Sequence, residues 1–389
     1  MECLFYSINC LPFFAKLEIN ANHFTPMLMC LSNQTKKQYE TKINMKHRQI
    51  ILPPEWAKQA FVQLTWPHKD SDWADNLEEV EVCYIEIARH ILRYEPLLVV
   101  CSHPNSVRAK IAPQSGQKLF LYELPCNDTW TRDFGPISVY VDGKVCMYDF
   151  GFNAWGGKFA FDLDNKLTAK LLEAGAFGPD RLYSDRKNFV LEGGSIESDG
   201  AGSLLTTSEC LLSPTRNPGM NRDEIELYLK QAFGLQRVLW IENAYLQGDD
   251  TDGHIDMLAR FCNPDTIAYV SAGFPQTAGG HEPKQLESLS AMEEELKSFR
   301  TLSGQSYRLI PLPLPDVVRY KNEVLPASYA NFLIINGAVL LPVYGQEKDQ
   351  QAVKQLAKAF PDREIIPVNC LALIKQHGSL HCISMQHPV

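Results

Sequence analysis

Four short stretches carry residue types that could break a carbon–nitrogen bond without a cofactor. Cys382 lies in Gly378-Ser379-Leu380-His381-Cys382-Ile383, and His254 in Asp250-Thr251-Asp252-Gly253-His254-Ile255-Asp256. Asp133 follows Trp130-Thr131-Arg132, and Glu192 opens Glu192-Gly193-Gly194. A thiol ionises near pH ~8.5, so it becomes a nucleophile at neutral pH only beside a cation. A histidine titrates near working pH and can move protons. Several carboxylates around one pocket suit a guanidinium, whose planar fork of N–H donors matches carboxylate oxygens pairwise.

Each of these residues also has a plain structural reading. Most of the 11 cysteines are expected to be small buried hydrophobes. Asp133 could be half of an ion pair with Arg132, Glu192-Gly-Gly a turn, and Trp130 either core or a flat wall for a cation. His254 and Asp256 are expected on one strand, two residues apart and on one face. Alternation along a strand would send His381 away from Cys382, leaving His254 as the base. Asp249, Asp250 and Asp252 lack the spacing of a calcium loop. A zinc site from His254, Asp256 and Cys382 has suitable donors but no supporting spacing. Arg216-Asn217-Pro218-Gly219 reads as a turn without chemistry.

What could bring these residues together is a repeat. Asp142-Gly143 joins strands Ile137–Val141 and Lys144–Phe150, and Asn336-Gly337 joins Asn331–Ile335 and Ala338–Tyr344; both are two-residue hairpin signals. Further hairpins are expected at Ser195–Ser198/Ser203–Thr207 and His254–Phe261/Thr266–Ser271. Helical periodicity follows each hairpin, at Asn165–Ala174, Asp223–Phe233, Gln285–Phe299 and Asp349–Phe360, with Asn221 or Asp223 as a helix cap. A short apolar strand then closes three units most clearly, at Val238–Ile241, Arg308–Pro311 and Glu364–Val368. The unit is strand, strand, helix, strand. A fifth is assembled across the termini: Ser379–Met385 pairs with Phe61–Thr65, followed by helix Asp75–Arg93 and strand Leu97–Cys101. Val80, Tyr84, Ile87 and Ile91 mark the buried face of that helix. The chain is therefore expected to be α+β, a closed ring of repeats. Asp133, Glu192, His254, Asp256, Asn331 and Cys382 occur near equivalent points of successive units, so a ring would bring them to one centre.

Composition limits the partners. The 389 residues carry a formal net charge of −9 and no basic stripe, which argues against nucleic acid and suits a cationic small substrate. No run reaches the ~20 apolar residues of a membrane helix. Eleven scattered cysteines without CxxC pairs read as reduced thiols in a cytoplasmic setting. Residues 1–44 read as an extension ahead of an alternative start at Met45, with 45–389 a single catalytic domain; Glu2 and the lack of an early Lys or Arg make the first residues a poor signal peptide. Homo-oligomerisation is compatible with the sequence and not fixed by it.

At these residues the sequence resembles the agmatine deiminases and their bacterial peptidylarginine-deiminase relatives. The matching stretches are LPPEW, LTWPH, WTRDFGP, LEGGSIESDG, CLLSPTRNPG, GDDTDGHIDM, SYANFLIINGAVLLPVYG and LHCISMQ, in one order from about residue 50 to the C-terminus. The resemblance implies the pentein fold, a fivefold pseudosymmetric β/α propeller of ββαβ units. It implies that Cys382 attacks the guanidinium carbon and that His254 protonates the departing ammonia, then activates water. Asp133 and Asp256 would grip the guanidinium, with Glu192, Trp130 and Asn331 nearby; no metal or other cofactor is implied. Two stretches depart from the family pattern: Asp252 stands where Asn is frequent, and Gln376-His377-Gly378-Ser379-Leu380 stands where Gly-Gly-Gly-Asn-Ile is. Agmatine carries a second cation, for which Asp250 is the expected partner. Arginine or peptidylarginine as substrate, amidino transfer, and a non-catalytic ring used for binding are the competing readings.

Overall fold

A computed structural model describes residues 48–274 and 280–389 of the chain. The extension 1–44 lies outside the described residues. Gln49–Val389 forms one compact unit.

The same order of elements occurs five times. Ile137–Val141 pairs antiparallel with Lys144–Gly151, and helix Leu167–Glu173 leads to Leu182–Val190, parallel to Lys144–Gly151. Ile196–Ser198 and Ser203–Thr207 are followed by helix Arg222–Phe233 and strand Arg237–Ile241. Ala259–Asn263 and Thr266–Ser271 are followed by Pro283–Ser298 and Arg308–Pro313. Leu333–Ile335 and Ala338–Val343 are followed by Lys348–Leu356 and Glu364–Asn369. In the last unit the C-terminal strand Ser384–Pro388 pairs antiparallel with Gln59–Thr65; helix Leu77–Leu92 and the parallel strand Leu97–Cys101 complete it. Parallel pairing through a helix and antiparallel pairing through a tight turn are the connections these lengths permit.

Local chemistry accounts for the boundaries. Asp142 and Gly143 both take positive φ, 51° and 78°, as a two-residue type I′ turn requires. Asp199 Oδ1 accepts from the backbone N–H of Ala201 and Ser203, each at 2.8 Å, and closes its hairpin. Asn221, not Asp223, caps Arg222–Phe233 in a reciprocal box with Glu224, and Gly234 ends that helix at φ 68°. Helix Leu77–Leu92 buries Val80, Tyr84, Ile87 and Ile91 as its periodicity requires. A further hairpin, Val318–Tyr320 with Glu323–Leu325, was not foreseen; Lys321 and Asn322 make its turn with positive φ at both residues.

Two expectations are corrected. The last strand begins at Ser384, so Cys382 lies in a turn that closes when Ser384 N–H bonds to His381 carbonyl at 3.0 Å. His254 and Asp256 lie not on a strand but at a one-turn 3-10 helix, Ile255–Met257, and the third hairpin starts at Ala259. In both places backbone bonds inside the loop replace the ladder.

The eight described cysteines are buried free thiols. Among the described residues no helix is long and apolar enough to cross a membrane.

Asn221→Ala removes the capping acceptor and is expected to lower unfolding stability by ~1 kcal/mol. Urea denaturation should show a lower midpoint with an unchanged m value.

Candidate active site

The reactive groups sit on loops that precede the first strands of successive units. Thr131–Phe134 is a single helical turn, which turns Asp133 inward, and the N–H of Arg132 bonds to the carbonyl of Cys382 at 3.1 Å. Asp133 Oδ1 accepts from Gly194 N–H at 3.0 Å, and Oδ2 accepts from the Trp155 indole at 3.1 Å. Ala154 and Trp155 take φ of 50° and 53°, a left-handed conformation that costs a non-glycine residue ~1 kcal/mol or more. The turn aims the Trp155 indole at the carboxylate, and that bond is among the contacts that offset the strain.

Gly194 explains the Glu-Gly-Gly stretch better than a generic turn does. A Cβ there would lie 2.7 Å from His254 Nδ1, 2.9 Å from Asp133 Oδ1 and 3.0 Å from Asp256 Oδ2. Only a residue without a side chain lets these three groups meet. At Gly378 a Cβ would overlap the Trp130 ring, so the turn carrying Cys382 can pack against that indole only through glycine.

The loop before His254 is organised by carboxylates rather than by a cation. Asp249 accepts from Gly253 N–H at 2.8 Å and from the Thr251 hydroxyl at 2.6 Å, and Thr251 Oγ1 accepts from His254 N–H at 3.2 Å. Asp252 pairs with Arg216 and, at 3.0 Å, with Lys158. Its acidic side chain therefore has two basic partners, which accounts for the departure at this position.

Cys382 Sγ accepts from Asn331 Nδ2 at 3.3 Å and lies 3.8 Å from Asp256 Oδ2. Asp256 Oδ2 also receives His381 Nδ1 at 2.8 Å, whereas Oδ1 is buried with no hydrogen-bond partner. His254 Nδ1 lies 3.8 Å from Asp133 Oδ1. Cys382, Asp133, Trp130, Trp155, Asp250 and Thr251 line a cavity of about 460 Å³; Asp72, Asp128, Phe159 and His377 are also on its wall.

Charge sets the resting state. Burial pushes the Cys382 thiol well above its ordinary value, and Asp256 and Asp133 push it further. Burial also raises Asp133, to about 6, against the pull of His254. For His254 burial opposes the imidazolium, but Asp133, Cys210 and Glu192 outweigh it and hold the ring well above 6.5. Burial likewise opposes ionisation of Asp256, yet the His381 hydrogen bond, with Arg260 adding to it, leaves its carboxyl below the usual range. The empty site thus holds a neutral thiol, an imidazolium and two carboxylates at neutral pH. A guanidinium seated between the carboxylates would supply the missing donor at Asp256 Oδ1. It would also cancel the repulsion that keeps the thiol protonated.

The expected substrate contacts divide. Trp130 and Asp250 do line the cavity. Glu192, expected to face substrate, does not; Arg216 Nε lies 3.2 Å from both its oxygens, and Oε2 is 3.9 Å from His254 Nε2. Asn331 holds the nucleophile loop: besides Cys382 it accepts His381 N–H at 2.8 Å.

Four residues had been given no role. Arg216 is buried and also donates to Thr251 carbonyl at 2.7 Å, so the stretch read as a plain turn ties Glu192 to the His254 loop. Glu55, from the LPPEW stretch, pairs with Arg132 at 3.0 Å, with Arg260, and with His381 Nε2 at 2.8 Å. Arg260 also pairs with Glu197. Burial, Arg132 and Arg260 pull His381 toward its neutral form. Its Nδ1 faces an Asp256 oxygen at 2.8 Å, and its Nε2 faces both a Glu55 oxygen at 2.8 Å and the Arg260 guanidinium at 3.0 Å. The one available signal was Arg260 itself, a charged residue inside an apolar strand, which required a buried partner.

A thiol, an imidazole and paired carboxylates on this α+β framework place the chain among the cysteine-dependent deiminases. The model of the Porphyromonas-type peptidyl-arginine deiminases matches residues 51–388, and the chain belongs to that family. A solved Porphyromonas gingivalis protein, provisionally designated an arginine deiminase, is 48% identical with a TM-score of 0.82, covering 87% of this chain and 98% of that one. An agmatine deiminase of C. jejuni, solved as a cysteine-to-serine variant with substrate bound, is 36% identical with a TM-score of 0.79, covering 87% and 96%. The agmatine deiminase of Stutzerimonas stutzeri is 30% identical over 364 residues, 87% of this chain and 95% of its own.

Gly194→Ala is expected to lower kcat/KM at least ~100-fold by displacing His254 or the carboxylates, with near-native circular dichroism. KM should rise as pH falls through about 6, because protonated Asp133 offers a cation no charge; a KM flat from pH 5 to 7 would contradict that role.

Proposed function

We propose that the chain hydrolyses agmatine to N-carbamoylputrescine and ammonia. The observation that carries this reading is the acidic wall of the cavity that Cys382 lines, which bears Asp133, Asp250, Asp128 and Asp72, together with the Asp256 carboxylate 3.8 Å from Cys382, whose buried Oδ1 has no hydrogen-bond partner among the described residues. None of the described lining residues is Lys or Arg. Such a wall suits a substrate that is cationic at both ends and offers little to the α-carboxylate of arginine. Agmatine deiminases among the relatives support the same substrate.

In this mechanism Asp133 and Asp256 hold the guanidinium N–H groups, and the substrate's charge draws Cys382 into its thiolate form. Sγ attacks the central carbon; the C–N bond breaks as His254 gives its proton to the leaving nitrogen, releasing ammonia and leaving an amidino-cysteine. His254, now neutral, takes a proton from water. The hydroxide adds to the same carbon, the C–S bond breaks, the hydroxyl proton of the adduct leaves to solvent, and the neutral ureido product departs with the thiolate restored. No step calls on a metal or an organic cofactor. Glu192 and Arg216 position His254, and Asp250 receives the distal ammonium.

Five equivalent sheets whose loops carry these residues support a fivefold pentein ring around the site. Residues 45–389 would then be one catalytic domain working in the cytoplasm. The P. gingivalis relative's designation and the family's description favour a second reading, the same chemistry on arginine or peptidylarginine.

Ammonia release from agmatine, arginine and a blocked arginine peptide separates these readings. Agmatine is expected to be turned over selectively, and Cys382→Ala to fall to background while remaining folded. Turnover of arginine instead moves the substrate and keeps the chemistry; full activity in Cys382→Ala refutes the mechanism.

A further inference from the structure

On the side of His254 away from Asp133 lies a second cluster. Donor atoms of Glu192, Cys210 and His254 all lie within 4.8 Å of one another, and the three residues are at most 1% exposed. They come from three separate segments: the residue before the Gly193–Ser195 turn, the short helix Ser208–Leu211, and the start of the 3-10 turn at Ile255. Within the cluster His254 Nε2 is buried and, among the described residues, has no partner at full hydrogen-bond geometry; the Cys210 thiol is a loose neighbour, and Glu192 Oε2 is 3.9 Å from it. A buried imidazole nitrogen facing a carboxylate and a thiol, with no close bond to either, is a donor set that a metal ion can draw together in place of the imidazolium proton.

We propose that Glu192, Cys210 and His254 form an inhibitory site for a borderline-soft divalent cation of the zinc type. One nitrogen, one sulfur and one oxygen donor with an open fourth position suit zinc, whereas magnesium and calcium take oxygen donors. At the bond lengths usual for zinc, tetrahedral ligands stand roughly 3.4–3.6 Å apart, so the cluster needs to close by only about 1 Å. Arg216, on both oxygens of Glu192, stays as the outer partner that orients the carboxylate. The cavity lies nearby, its lining residue Asp133 being 3.8 Å from His254 Nδ1. Binding replaces the thiol proton of Cys210 and the Nε2 proton of the His254 imidazolium, both of which leave to solvent, and the metal then occupies Nε2 of His254. With its ring pinned, His254 cannot carry a proton to the leaving nitrogen. That consequence rests on the role proposed for His254; the metal site itself does not. Cys382 takes no part, which separates this site from metal capture by the nucleophile.

Cobalt(II) is the probe, because thiolate coordination gives a near-ultraviolet charge-transfer band whether or not the protein turns over substrate. The band is expected in the wild type and in Cys382→Ala, and absent in Cys210→Ala and Cys210→Ser. In parallel, Zn²⁺ should inhibit ammonia release by the wild type, with half-inhibition moved at least ~10-fold upward by Cys210→Ser. A band lost in Cys382→Ala but kept in Cys210→Ser overturns the proposal, as does no band in any form. A band with the expected dependence but no agmatine turnover would leave the site standing and refute the substrate reading instead.

Discussion

Asp133 and Asp256 both reach toward one buried sulfur, Asp256 at 3.8 Å, with His254 beside Asp133. Carboxylates this close, on buried side chains, repel one another and the thiolate that must form between them. That repulsion is the constraint that the rest of the site answers. His254 neutralises one side and the Trp155 indole and Gly194 N–H stabilise the same carboxylate. On the other side His381 bonds one oxygen of Asp256 and leaves the second unpartnered. These charges are only partly balanced among themselves, and a guanidinium bound between the carboxylates would relieve their repulsion. The same electrostatics that keep the free thiol inert would activate it only beside a substrate of the right charge.

Beneath this pair lies an alternation of acids and bases: Asp256, His381, Glu55, Arg132, Arg260 and Glu197. Buried ion pairs are poor sources of net stability, because desolvation offsets much of their attraction. Their use here is geometric. Glu55 precedes the second strand of the fifth unit, Arg132 follows the end of that unit, Arg260 lies in the third, and His381 adjoins the nucleophile. One network thus locks loops from different sheets into one register. Arg216 does the same for Glu192, Asp252 and the carbonyl of Thr251.

Much of the framework was legible in the sequence because it rests on local rules. Asp142-Gly143 forces a turn by its backbone conformation, Asn221 and Glu224 cap a helix through neighbours in sequence, and Val80, Tyr84, Ile87 and Ile91 repeat with the helical period. The identity of the reactive residues was also legible, since few residue types can attack, protonate and grip a guanidinium. The readings that failed assumed regular strands: His254 and Asp256 sit at a 3-10 turn and Cys382 in the turn before Ser384, where side-chain direction follows loop bonds instead of alternation.

By itself, then, the sequence determined the repeating unit, its turns and caps, and the cast of thiol, imidazole and carboxylates. Tertiary structure alone decided their parts: that Glu192 serves Arg216 and His254 while Asp250 lines the cavity, that Asn331 holds the sulfur, that Glu55 reaches His381, and that Cys210 lies beside His254. The reason is physical. Turns and caps are fixed by bonds among residues a few positions apart, whereas Glu55 and His381 are 326 positions apart and meet only once the sheets are packed. Which oxygen of a buried carboxylate is left without a partner depends on every loop that reaches it.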